Sequence, residues 1–543
     1  MKITFTFLAI LLLGINLNSQ VTQDWVARYN GPQGTGRDVA RSIAIDGSGN
    51  VYATGYSVGS GTGYDYATIK YNSAGVQQWA ARYNGPGNVG DFAHSIAIDG
   101  SGNVYVTGYS AGSGTGNDYA TIKYNSTGVQ QWAARYNGPG NSIDEAYSVA
   151  VDGSGNVYVT GGSTGSGTGY DYATIKYNSA GVQQWVARYN GPGNSSDITR
   201  SIAIDGSGNV YVTGSSVGSG TGSDYATLKY NSTGVQQWAA RYNGPGNSID
   251  EAYSIAVDGS GNVYVTGGST GSGTLNDYAT IKYNSTGVQQ WEARYNGPGN
   301  SSDITRSIAI DGSGNVYVTG SSVGSGTLAD FFTIKYNSTG VQQWVARYNG
   351  GNFDDFANSM AVDASGNVYV TGESLVSAST LYDYATVKYN SSGVQQWVQR
   401  YDGPGNLIDG ANSVAVESSG NVYVTGSSTG FGTDWDYATI KYSQPIGIQP
   451  ISNEIPENFS LSQNYPNPFN PSTVIKFQVA SLSEVKIVVL DILGREIATL
   501  GNEQLQPGTY EADFDASNLV SGVYFYRLIT DEFSETKRMI LIK

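Results

Sequence analysis

The chain has 543 residues, with 74 Gly, 42 Tyr, one His and no Cys, only 13% charged residues and a formal net charge of −16. Without Cys there are no disulfides, thiol nucleophiles or Cys-ligated clusters, and a lone His (His94) excludes a multi-His metal site. The acidic balance has the wrong sign for wrapping nucleic acid or lying on anionic lipid.

The N-terminus opens with Met1-Lys2, an apolar run over residues 5–15 and a short polar stretch to Gln20. This pattern predicts a secretory signal peptide over residues 1–19. The apolar run is too short to span a bilayer, and no later stretch approaches the roughly 18 apolar residues of a membrane helix.

From residue 20 the chain repeats. Trp recurs at 25, 79, 132, 185, 238, 291, 344 and 397, spaced by 54 once and by 53 thereafter. A second marker, Val-Tyr-x-Thr-Gly, begins at Val51, Val104, Val157, Val210, Val263, Val316, Val368 and Val422. Each unit contains four short alternating segments separated by Gly-, Ser- and Asn-rich turns, the signature of β-strands. Four strands in about 50 residues predict propeller blades. The array begins with an unpartnered Trp strand and ends after a third strand with no Trp strand to follow. The two ends complete each other, so an eight-bladed ring closed by pairing of N- and C-terminal strands is expected over residues 20–443. Such closure removes the open edges of a repeat array.

The stretch Ser-Ile-Ala-Val-Asp-Gly-Ser-Gly-Asn-Val-Tyr-Val-Thr-Gly at residues 254–267 resembles the core of the bacterial β-propeller repeat family. The resemblance covers roughly residues 20–443. It implies the fold and no single activity, and its usual expectation is seven blades, from which the count of eight departs.

Most charges belong to the repeat. An Asp precedes each first strand, an acid ends it, and another Asp opens each third strand; Lys recurs in each third strand and Arg in each fourth. These fit turn-capping and cross-strand pairing. The Asp-Gly-Ser-Gly-Asn turn resembles the start of a calcium loop but lacks its Gly at six and Glu at twelve, so no metal and no cofactor are expected. Twelve propeller charges fall outside the repeat, and three of them, Arg41, Arg200 and Arg306, share one position. The full set there is Arg41, His94, Tyr147, Arg200, Tyr253, Arg306, Asn358 and Asn412. Every member forms hydrogen bonds, and identity varies while neighbouring positions barely change. In a propeller this position rings the channel mouth, so these eight residues are the candidate ligand-binding set. A two-blade duplication repeats Glu/Tyr and Arg spots, which suits a repetitive ligand such as a polysaccharide.

Beyond Tyr442 the repeat stops. Residues 444–455 read as a linker, and strands are predicted at 473–479, 484–490, 508–514, 522–528 and 536–542, fitting an Ig-like β-sandwich over 456–543. Tyr-Pro-Asn-Pro-Phe-Asn-Pro at 465–471, Asp-Ile-Leu-Gly-Arg at 491–495 and the terminal Lys-Arg-Met-Ile-Leu-Ile-Lys resemble the C-terminal sorting domain of type IX secretion cargo in the Bacteroidota. The resemblance implies export, recognition by the type IX machinery and an extracellular or outer-membrane-surface address.

The expected function is non-catalytic: a surface module that binds or adheres to a polysaccharide or protein ligand, with no nucleic acid partner. The alternatives are a propeller hydrolase or lyase acting on polysaccharide, and a structural surface protein. A glycosidase needs two carboxylates across a cleft, and near-identical blades argue against one asymmetric catalytic centre.

Overall fold

The computed structural model describes residues 21–351, 353–376, 381–444, 448–452, 454–516 and 519–543, so the signal segment lies outside the described residues. Two compact units emerge, Gln23–Tyr442 and a second containing Ser443–Lys543. Every regular element among the described residues is a β-strand.

The first unit is a ring of eight four-stranded antiparallel sheets. Blade 1 runs through Asp38–Ile45, Val51–Val58, Tyr64–Tyr71 and Gln77–Tyr83. Blade 8 takes three strands from the end of the repeat, Asp409–Val416, Val422–Thr429 and Trp435–Ser443. Its fourth is Thr22–Tyr29, hydrogen-bonded beside Trp435–Ser443, which closes the ring as the sequence predicts. The first strands of successive blades touch all the way round and so line the centre.

Tyrosine joins the blades. Tyr52 and Tyr66 of blade 1 are fully buried in the core of blade 2, among Ala93, Ile96, Val104 and Val106. The Tyr66 hydroxyl donates to the Ala120 carbonyl at 3.1 Å, and Tyr437 does the same to Ala67 across the seam at 3.0 Å. Each of these two rings contributes a large apolar area and satisfies its own hydroxyl. The fourth-strand Trp reaches the next blade as well: Trp79 Nε1 donates to the Ser126 carbonyl at 3.1 Å. Gly128 sits beneath that indole with φ +82°, and a Cβ there would lie 2.6 Å from the Trp79 ring, so both conformation and space require glycine.

The fourth-strand arginines pair as expected. Arg82 donates to Tyr29 Oη, Ser57 Oγ, the Ser57 carbonyl and Asp65 Oδ2 over 2.6–3.2 Å, and each other blade repeats the Arg–Asp ion pair. The third-strand lysines do not follow the expected acid ladder. Lys70 lies opposite Tyr52 in the register and holds its ammonium 5.0 Å from that ring. Lys441 does meet an acid, Asp24, at 3.4 Å.

The tail is a sandwich of two four-stranded sheets around Ile475, Phe477, Ile487, Val489, Tyr526 and Leu528. It contains the five predicted strands and three more, Gln449–Ser452, Ser460–Leu461 and Glu496–Leu505. The first of these lies in the segment read as linker and pairs with Gly508–Asp515, so the sandwich begins earlier than the sequence suggests. Among the described residues, no helix is long and apolar enough to cross a membrane.

Candidate functional site at the channel mouth

The variable position is a β-bulge in every blade. In blade 1, Ala40 pairs with Gly55 and Ser42 with Thr54, which leaves Arg41 as the extra residue. The same register shift isolates His94, Tyr147, Arg200, Tyr253, Arg306, Asn358 and Asn412. A bulge re-aims one side chain out of the alternating pattern, and here it does so eight times around the central strands. The facing glycine of Val-Tyr-x-Thr-Gly permits it: a Cβ on Gly55 would sit 1.9 Å from the Val39 carbonyl oxygen.

Six of the eight candidates form a belt of rings and guanidiniums. His94 packs between Tyr109 and Tyr147, each 5.3 Å away between ring centres. Arg200 lies over the Tyr147 ring at 4.8 Å, Arg306 over Tyr253 at 5.1 Å and Arg41 over Tyr56 at 5.6 Å. Tyr147 donates to Glu145 and Tyr253 to Glu251, both at 2.5 Å, which fixes these rings. Burial first, and then that bond to Glu251, pushes the Tyr253 hydroxyl up to about 12. Burial also lowers His94 to about 4, and the charges of Arg41 and Arg200 lower it further, so the imidazole is neutral at pH 7.

The three belt arginines differ from the eight scaffold ones. Among the described residues, Arg41, Arg200 and Arg306 make no hydrogen bond or ion pair to protein, and their partners are aromatic faces. Each fork of N–H donors is thus held in place by a ring and left available to a ligand. The two remaining candidates are used as stitches. Asn358 Nδ2 donates to the Ala411 carbonyl at 2.9 Å and Asn412 Nδ2 to the Ala40 carbonyl at 2.7 Å, tying first strands of adjacent blades together.

The belt extends beyond the eight candidates, to Phe92 of the variable position two residues earlier and to three second- and third-strand tyrosines with no signal of their own in the first strand. Tyr56, Tyr64, Phe92 and Tyr109 form one aromatic cluster, with Tyr56 and Phe92 at 4.9 Å and Phe92 and Tyr109 at 5.1 Å. The second-strand position after Thr-Gly holds Tyr56, Tyr109, Gly162, Ser215, Gly268, Ser321, Glu373 and Ser427, a variation as informative as that of the bulge. Glu373 is the acid of this set, and burial raises its carboxyl.

The Asp-Gly-Ser-Gly-Asn turns are closed on themselves. Asp46 accepts from Ser48 N, Asn50 N, Asn50 Nδ2 and Tyr52 Oη over 2.8–3.0 Å. Burial works against its charge, but these four bonds keep the carboxyl below its usual range. Between such turns of blades 1 and 2 lies an open groove of about 530 Å³, lined by Asp46, Tyr52, Lys70 and Asp99.

Residues 463–543 match the model of the secretion system C-terminal sorting domain, which marks the chain as cargo of type IX secretion. An uncharacterized WD repeat-containing protein of Acanthamoeba polyphaga mimivirus is 24% identical over 467 residues, 74% of this chain and 30% of that protein. The chain thus spans less than a third of that relative. Among solved structures, a fungal alcohol oxidase of the AA5 family in complex with copper is 12% identical with a TM-score of 0.38, covering 97% of this chain and 100% of its own. A quinonprotein alcohol dehydrogenase-like protein from Bacteroides thetaiotaomicron is 10% identical with a TM-score of 0.29, covering 67% and 88%. The beta-propeller repeat model matches residues 24–61, 78–115, 131–167, 184–220, 237–273, 290–326, 343–377 and 396–432. These eight matches take up more than half of the sequence, and the chain belongs to the beta-propeller repeat family.

Proposed function

We propose that the secreted propeller is a non-catalytic binding module, and that its ligand is a polysaccharide bearing carboxylate or sulfate groups, held at the channel mouth. The observation that carries this reading is the set of three guanidiniums seated on tyrosine rings with no protein acceptor. Aromatic faces stack on sugar rings and arginine forks bind anionic oxygens in pairs. The non-catalytic part rests on the acids of the belt: Glu145 and Glu251 are each committed to a tyrosine, and the duplication makes them copies of one another. The test is a glycan array with the exported protein and with its Arg41→Ala/Arg200→Ala/Arg306→Ala variant. Acidic glycans are expected to bind the first and to bind the second at least about tenfold more weakly. Equal binding by both proteins refutes the assignment of the belt. Turnover of a bound glycan refutes the non-catalytic reading.

A further inference from the structure

Each blade junction carries two aspartates against one arginine. The third-strand Asp is represented by Asp65. Its Oδ2 accepts from Arg82 Nη2 at 2.8 Å and from Thr62 Oγ1 at 3.1 Å. Its Oδ1 is buried and meets no protein donor, and the same holds for Asp118, Asp171, Asp224, Asp277, Asp330 and Asp436. These seven residues are only 2–6% exposed. Facing each is the Asp that opens the next blade's first strand. Asp91, 1% exposed, holds the Gly85 N–H through Oδ2 at 2.7 Å; its Oδ1 lacks a protein donor, as do those of Asp303 and Asp355, whereas Asp38, Asp144, Asp197, Asp250 and Asp409 each accept a backbone N–H there. Burial, and to a lesser degree the neighbouring Asp65 carboxylate, pushes Asp91 up. Two buried carboxylates thus share one arginine at each junction, an excess of negative charge that is relieved either by neutralising a carboxyl or by taking up a cation.

At one junction a third oxygen donor stands beside the pair. The residue after the fourth strand is Asn in seven blades, at positions such as Asn84 and Asn137. Its amide Nδ2 is turned into the loop, Asn84 to Asn88 Oδ1 at 2.7 Å and Asn137 to Asn141 Oδ1 at 2.6 Å. One N–H of each amide is thus spent within the loop rather than on the carboxylates. In the seventh blade the Asn is replaced by Asp402. There the oxygens of Asp383, Asp402 and Asp409 lie within 4.8 Å of one another. That is the span of two calcium–oxygen bonds of about 2.4 Å.

We propose that the blade junctions bind calcium, each ion held between the third-strand Asp of one blade and the first-strand Asp of the next, with the intervening Asn, or Asp402 in the seventh blade, as a further oxygen ligand. The donor set is all oxygen and carries two or three carboxylates, which suits a hard cation. Calcium tolerates the irregular geometry better than magnesium, which requires a tight octahedron.

The experiment uses the full exported chain, stripped with EDTA and dialysed against buffer or about 5 mM CaCl₂, above the millimolar constants of extracellular calcium modules. Bound metal is counted by mass spectrometry and thermal unfolding is followed in parallel. More than one Ca²⁺ per chain is expected, with a rise in Tm on the order of 5–10 °C and a smaller rise with MgCl₂. Asp402→Asn restores the residue of the other blades, so folding is preserved. It is expected to weaken one site about tenfold while leaving Tm in EDTA equal or higher, because a like charge has been removed. A chain that holds no calcium and melts at the same temperature in both buffers overturns the proposal. So does an Asp402→Asn variant with an unchanged calcium isotherm.

Discussion

The belt histidine makes a sharp prediction because it is the only histidine in the chain. Inside the fold His94 is held near 4, first by burial and then by Arg41 and Arg200, against an ordinary value of 6.5. Above pH 6.5 the imidazole is neutral in both folded and unfolded chains, and this stabilising difference is intact. As pH falls below 6.5 the unfolded chain takes up a proton that the folded chain refuses, so stability drops until about pH 4. The whole window is worth about 3 kcal/mol, and about 2 kcal/mol of it is gone by pH 5. His94→Phe keeps a ring between Tyr109 and Tyr147 but does not titrate. Denaturant unfolding of both proteins at pH 7 and pH 5 is expected to show the wild type losing about 2 kcal/mol more than the variant. The carboxylates titrate in both proteins and cancel from the difference. A proton NMR titration reads the single imidazole directly, and Arg41→Ala should move its midpoint upward. A midpoint near 6.5 in the wild type, or stability curves that run parallel, would refute the reasoning.

The two classes of arginine should respond differently to truncation. Arg188→Ala strands Asp171 in a buried site and is expected to cost about 3–5 kcal/mol in denaturant unfolding, whereas Arg200→Ala loses only a stacking contact and should cost no more than about 1 kcal/mol. Gly214→Ala drives a methyl to 2.0 Å from the Ile198 carbonyl and is expected to destabilise the propeller by more than about 2 kcal/mol; a neutral result would mean that the bulge relaxes freely. A reporter carrying residues 448–543 behind an export signal should leave the cell in a type IX-competent host, and accumulation in the periplasm would count against the tail as a sufficient address.

The ring was readable because its information is redundant. A Trp every 53 residues and two incomplete ends give both the number of blades and the strand that closes them. The position of the belt was readable too, since Arg41 and its counterparts vary inside a nearly constant frame. Its geometry was not. The bulge arises from a cross-strand approach of Gly55 to Val39, and no local propensity reports that contact. Asn358 and Asn412 look equivalent to Arg41 by register, but their short amides reach the neighbouring strand's carbonyls and are consumed there. Lys70 was assigned to an acid ladder by counting charges, while its opposite number in the register is Tyr52. In the tail, Glu496–Leu505 escaped notice because Gly501 and the adjacent polar residues break its alternation, and the register with its partner shifts twice. The strand Gln449–Ser452 contains a proline and depends on Gly508–Asp515 for its existence.

The seam between Thr22–Tyr29 and Trp435–Ser443 gives the propeller an unusual folding problem. Every other blade assembles from neighbours in sequence, but this one joins positions more than four hundred residues apart. Closing so long a loop costs only about 2 kcal/mol more than bringing adjacent repeats together, because the entropy grows with the logarithm of length. Against that stand the Arg28–Asp436 ion pair at 2.9 Å and the Trp25 indole lodged between Tyr71 and Tyr423. The penalty is thus chiefly one of time. A chain emerging from its N-terminus must keep its first strand unpaired until the last blade has appeared, and the seam is the one junction held without a covalent link, where the circle would part under load.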